Sequence, residues 1–99
     1  MIRRKFKVNI VVNDRKYFEV IIDPHYEQKH SDHINDELIL RLVLRLDRRS
    51  ELPVDMDNEF SYFLTRIELD QKRYRLIWLL EKDTDYIGVI NAFRDRKGV

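Results

Sequence analysis

Two parts of this chain alternate apolar and polar residues with a period of two, and between them lies one stretch with a period near 3.6. That order constrains the fold more than any other feature, because a period of two builds half-buried strands and a period of 3.6 builds an amphipathic helix. "KFKVNIVV" sets Phe6, Val8, Ile10 and Val12 against Lys7 and Asn9, with Val11 as the exception. "NDRK" follows as a tight turn, since Asn and Asp tolerate the left-handed region. "YFEVIID" alternates again, with Phe18, Val20 and Ile22 on one face. The two runs read as a hairpin. Pro24 ends the second run, because it cannot donate to a strand ladder.

"HYEQKHSDHI" has helix-compatible residues but only a weak apolar stripe, and reads as a short exposed helix or turn. Asn35 reads as an N-cap, with Asp36 and Glu37 in the first turn where the helix dipole favours acids. "DELILRLVLRLDRR" then places Leu38, Ile39, Leu42, Val43 and Leu46 on one face, with Arg41, Arg45, Arg48 and Arg49 mainly toward solvent. "SELPVDMDN" reads as a loop. "EFSYFLTRIEL", "KRYRLIWLLEK" and "YIGVINAFR" read as three strands with short connections at Asp70-Gln71 and "DTD". The expected fold class is α+β: an N-terminal β-hairpin, one or two helices, then a three-stranded antiparallel meander, with the helices packed on one face of a single sheet.

The last strands are apolar on both sides. Leu76, Trp78 and Leu80 share one face, and Ile77 and Leu79 the other. One amphipathic helix covers one face of a sheet. The second face therefore calls for the short helix, a second copy of the chain, a protein partner, or the curl of the sheet itself.

A chain of 99 residues fits one domain, residues 1–99. Hydrophobic residues make up 43% and charged residues 37%, the composition of a well-solvated globular domain. The absence of cysteine excludes disulfides, thiolate catalysis and thiolate zinc sites. Domains of this size in oxidising compartments often need disulfides, so a cytoplasmic address is expected. The basic-then-apolar start is interrupted by Lys7 and Asn9 with no small-residue cleavage site after it, and no apolar run approaches the ~20 residues of a membrane helix. The net charge of +1 creates no overall field toward nucleic acid. The charge is uneven, however: "IRRKFK" carries Arg3, Arg4, Lys5 and Lys7, and "FRDRK" carries Arg94, Arg96 and Lys97. If the two ends lie close, they form one basic patch. Acids gather instead in "ELPVDMDNEF" and "EKDTD".

His25, His30 and His33 are the only histidines. His30 and His33 occupy adjacent helical positions and His25 falls off that face; no carboxylate completes an H-E-x-x-H pattern, so no metal is expected. Ser31, Ser50, Ser61, Thr65 and Thr84 lack a glycine-flanked elbow. With Gly88 and Gly98 as the only glycines, no phosphate-cradling loop exists and no cofactor is expected. Metal-free RNA cleavage needs less: a general base and acid, and cations at the phosphate. His25, Lys29 and His30 could move protons, Arg66, Arg73, Arg75 and Arg94 could hold phosphate, and Tyr26, Tyr74, Trp78 and Phe93 could stack on bases.

"HYEQKHSDHINDELILRLV" resembles the opening of a bacterial domain family in which a His begins a short helix, a basic residue follows four positions on, and an Ile-led step starts the next helix. Here these are His25, Lys29 and "INDELI". "RYRLIWLLEKDTDYIGVINAFRDRK" is similar to the closing strand pair of the RelE/ParE toxin superfamily, which includes BrnT-like members. The resemblance spans residues 23–97. It implies the toxin component of a toxin–antitoxin pair, a cytosolic metal-independent endoribonuclease acting on mRNA, with a cognate antitoxin and RNA as partners. It implies catalytic roles for His25, Lys29, Arg75 and Arg94. His30 joins them as a further catalytic candidate from the chemistry of its segment, and Arg3, Arg4, Lys5, Arg73, Arg96 and Lys97 are the basic residues expected to contact RNA. A gyrase-directed ParE-like toxin, a non-catalytic protein-binding module and a homodimer are the alternatives.

Overall fold

The computed structural model describes residues 3–95. The chain builds one six-stranded mixed sheet in the order β1-β2-β6-β5-β4-β3. Its strands are β1 (Arg4–Val12), β2 (Arg15–Ile22), β3 (Asp55–Met56), β4 (Phe60–Leu69), β5 (Lys72–Glu81) and β6 (Tyr86–Arg94). Among the described residues a single α-helix, α1 (Asp36–Leu44), and a 3₁₀ turn over Pro24–Gln28 connect β2 to β3. Every neighbouring pair is antiparallel except β2 and β6, which run parallel.

This overturns the expected α+β arrangement. Strand takes 53% of the described residues and helix only 15%. Three local causes account for the difference. The histidine segment closes as a 3₁₀ turn, started by Asp23 accepting from the His25 amide. The helix stops at Leu44, because Arg48 turns through a positive φ of 66° and donates its amide to the Val11 carbonyl. The acidic loop supplies a further short strand, β3, at the far edge. The meander then runs back across the sheet, so that β6 lies against β2 and joins the hairpin to the rest.

Local turns follow from residue chemistry. Asn13 and Asp14 close the hairpin at φ 52° and 64°, and Asp70 and Gln71 close the β4–β5 turn at 53° and 65°. Asn35 caps α1 by accepting from the Leu38 amide at 2.8 Å. Bulges bend the sheet at two places. Val8 and Asn9 stand opposite Phe18 alone, and Ile90 is the extra residue between the Trp78–Val89 and Ile77–Asn91 pairs.

The core fills the inner face of the sheet. Ile10, Val12, Val20, Ile22, Ile87, Val89, Leu76, Trp78, Phe63 and Ile67 meet Ile39, Leu42, Val43 and Leu46 there. Trp78 is wholly buried, stacks on Phe63 at a centroid distance of 4.1 Å, and donates from Nε1 to Thr65 Oγ1 at 2.9 Å. Thr65 in turn donates to Glu51, so the indole's only donor is satisfied inside the core.

Candidate functional site on the outer sheet face

Strand alternation puts the residues between the core positions on the opposite, outer face. At the end of that face where β6 terminates, Arg66 stands directly across from Arg75, and Arg75 across from Phe93. Like charges opposed across a strand pair destabilise a sheet. Asp95 offsets them. Its Oδ2 lies 3.2 Å from Arg75 Nε and 3.7 Å from Arg66 Nε, and its side chain is 8% exposed. The Arg75 contact is an ion pair whose angle falls short of a hydrogen bond, since Arg75 Nε is buried without one. The Asp95 amide donates to the Arg73 carbonyl and so continues the ladder by one residue.

The 3₁₀ segment brings His30 to the same corner. β2 pairs with β6 only as far as Val89, and the 3₁₀ turn packs along the stretch of β6 beyond. His30 stacks on Phe93 with ring centroids 5.5 Å apart, and its ring meets that of His33 edge-on at 5.7 Å. Burial, followed by the neighbouring His33 and Lys29, disfavours the imidazolium and holds the His30 pKa below its ordinary value of 6.5. Neutral imidazole therefore prevails there at neutral pH. Phe93 thus carries His30 on one side and Arg75 on the other.

Not every expected site residue gathers here. His25 and Lys29 are exposed on the 3₁₀ segment, within electrostatic reach of His30. Arg94 pairs with buried Tyr74, whereas Arg75 pairs with Phe93, so the two arginines leave the sheet on opposite faces. Arg73 lies on the outer face opposite Glu68. Arg3 is largely exposed and 3.9 Å from Asp23, and Lys5 is exposed at the β1 edge of the outer face. Arg96 and Lys97 lie outside the described residues.

Arg4 takes a structural place. Its Nε meets Asp36 Oδ2, and its Nη2 reaches Asp36 Oδ1 at 3.0 Å and Glu27 Oε1 at 2.6 Å. Tyr26 donates to the same Asp36 carboxylate at 2.6 Å. Burial and that bond push the Tyr26 phenol up to about 12. Burial alone would raise Asp36, but the hydrogen bonds from Arg4 and Tyr26 and the Arg4 charge outweigh it and hold the carboxyl below its ordinary value. This network ties the start of β1 to the 3₁₀ turn and to the first residue of α1.

Sequence reasoning passed over Asp95 as the group that holds Arg66 and Arg75 together. A signal was present: Asp95 lies two residues after Phe93, so strand alternation sets both on one face. Among the described residues no group of three or more His, Asp or Glu side chains gathers where it could hold a metal ion, and no helix is long and apolar enough to cross a membrane. No family profile matches the chain, and neither a curated protein nor a solved structure resembles it at a significant level.

Proposed function

We propose that this chain is a metal-independent endoribonuclease of the toxin type, working at the corner formed by His30, Phe93, Arg75 and Arg66. The observation that carries the reading is that His30 stacks on Phe93, whose cross-strand partner is Arg75, with Arg66 next in the same row. Neutral His30 accepts the proton of a ribose 2′-hydroxyl. The 2′-oxygen attacks the adjacent phosphorus, the P–O5′ bond breaks, and a 2′,3′-cyclic phosphate and a 5′-hydroxyl result, with the proton passing to the leaving oxygen. Arg75 and Arg66 stabilise the charge that builds on the phosphate. Each guanidinium has five donors, and an ion pair through Nε occupies one of them. Lys29 supplies further positive charge at the entrance.

A labelled single-stranded RNA incubated with the protein in excess chelator tests this. The expected result is cleavage to cyclic-phosphate ends, reduced about 10²–10⁴-fold in His30→Ala, the usual contribution of a general base. Arg75→Ala is expected to lose at least as much, and both variants keep the wild-type circular dichroism spectrum. A folded wild-type protein that cuts no RNA, or a His30→Ala variant that cuts at the wild-type rate, removes the proposal. The non-catalytic alternative rests on Asp95, whose charge offsets part of the arginine pair; it predicts that Asp95→Asn leaves RNA binding and cleavage absent, whereas the nuclease reading predicts tighter RNA binding in that variant.

A further inference from the structure

One row of residues crosses all six strands on the outer face. In strand order β1-β2-β6-β5-β4-β3, the register partners are Lys5, Ile21, Gly88, Leu79, Tyr62 and Asp55. The row begins with a cation, is apolar through the middle, and ends with an anion. Next to it on the same face, Ile77 stands opposite Leu64, which is 39% exposed. Among the described residues no helix lies on this face: α1 buries Ile39, Leu42 and Val43 in the core on the other side.

The middle of the row holds a notch and a knob. Gly88 has no side chain, and around it Ile21, Leu79, Tyr86, Ile90 and Arg3 border a depression of about 100 Å³. Leu79, half-buried, stands at its edge. A Cβ added to Gly88 would come 2.8 Å from Leu79 Cδ1 and 3.0 Å from its Cγ, so Leu79 of the same chain leans over the glycine and a side chain at position 88 would have to push it aside.

The row is complementary to its own reverse. We infer that the outer face docks a second copy of this chain, face to face, about a two-fold axis parallel to the strands. Such an axis lays the β1 edge of one copy over the β3 edge of the other. Lys5 then meets the partner's Asp55, Ile21 the partner's Tyr62, and Gly88 the partner's Leu79, and each contact occurs twice. A two-fold perpendicular to the strands would instead set Lys5 against Lys5 and Asp55 against Asp55. The charges therefore select one of the two face-to-face arrangements. Aligned packing of this kind is how two sheets commonly bury their apolar faces, about 10 Å apart.

The inference does not rest on the proposed nuclease. Arg75 lies four residues along β5 from Leu79, roughly 13 Å at a strand rise of 3.3 Å per residue, so the arginine corner stays at the rim of the interface. A dimer without RNA cleavage, or cleavage by a monomer, separates the two claims.

Sedimentation equilibrium of the full chain tests the dimer. The wild type is expected at twice the mass of one chain at tens of micromolar. Leu79→Glu, placing a charge in the notch-and-knob contact, is expected to weaken association more than 100-fold. Lys5→Glu and Asp55→Lys change exposed residues, so the fold survives either. Each alone sets like charges opposite one another at both ends of the interface and is expected to weaken association about tenfold. An equimolar mixture of those two variants restores both contacts in the heterodimer and is expected to recover the wild-type affinity. A wild type that stays monomeric at several hundred micromolar overturns the inference, whatever else binds the face. So does a mixture that associates no better than its components.

Discussion

The two faces of this sheet are made by the same strands and differ in almost every physical respect. The inner face is closed. Val12, Val20, Ile22, Leu76, Trp78 and Ile87 have no exposed surface, and the Trp78 indole nitrogen among them is paired with Thr65. The outer face is half-open, with apolar residues through its middle, arginines at one end and opposite charges at its two edges. Side chains at the core are selected for volume. Outer side chains are free to carry charge, an imidazole and a notch, because the described chain covers this face only at the corner where His30 stacks on Phe93. The comparison teaches where stability and function divide: one face holds the fold together, and the other is available to bind and react.

The largest break in this comparison is a core truncation set against its outer-face neighbour. Trp78→Ala empties the site of the largest buried side chain and is expected to cost about 3–5 kcal/mol, read from the denaturant midpoint. Leu79→Ala, one residue along on the outer face, is expected to cost less than about 1.5 kcal/mol to the monomer, because its site is already partly open. Equal losses at the two positions would contradict the division between faces.

Next in size is the network around Arg4, where charge serves structure. Arg4→Ala leaves Asp36 half-buried with only Tyr26 as a side-chain partner and is expected to cost about 1–2 kcal/mol. The pH dependence has a definite sign. The Asp36 carboxyl is held below its ordinary value in the folded state, so its contribution is present above the unfolded pKa near 3.8 and is lost as pH falls below that. Acid unfolding followed by circular dichroism should therefore begin as pH drops under about 4. In Asp36→Asn that component of the acid transition should vanish.

On the outer face, His30 gives a sharper and smaller effect. Its pKa lies below 6.5 because of burial first and then His33 and Lys29. The rising limb of any pH–rate profile for RNA cleavage should accordingly fall below pH 6.5. Lys29→Gln removes one neighbouring cation and should move that limb upward, a shift that a purely structural lysine would not cause. The smallest expected effect is Gly88→Ala on monomer stability, within about 1 kcal/mol, since the closest contacts it creates are with one half-buried leucine side chain that can turn aside. The same variant should still weaken self-association, and a stability loss without an association loss would count against the notch.

Local chemistry was legible before the structure, and global assembly was not. Asn13-Asp14 and Asn35 announce their turn and cap through side-chain chemistry that acts within a few residues. The two-sided apolar character of "YRLIWLL" pointed to an outer face that needs cover. The α+β class failed because it depended on distant pairings. Nothing local tells β2 that its parallel neighbour is β6, some 65 residues later, or that Val11 will draw Arg48 out of the helix. The candidate site was legible to the same degree. His30 and Arg75 were named from their types and positions, and their meeting across Phe93 depends on β6 extending past β2. Arg94 was chosen for its place in a motif, and strand alternation turns it to the other face. Arg4 was taken for an RNA contact because a basic run looks exposed, and the fold spends it on Asp36 and Glu27.

The central claim is that the outer face is the working surface, and amide chemical-shift mapping tests it most directly. The ¹⁵N-labelled protein would be titrated with a short RNA carrying 2′-deoxy substitutions, so that it binds without being cut. The account predicts perturbations concentrated on residues 29–33, Arg66, Arg75, Phe93 and Asp95, with α1 and the Asn13-Asp14 turn unchanged. Saturating RNA that perturbs none of those residues, or that perturbs α1 instead, would contradict it.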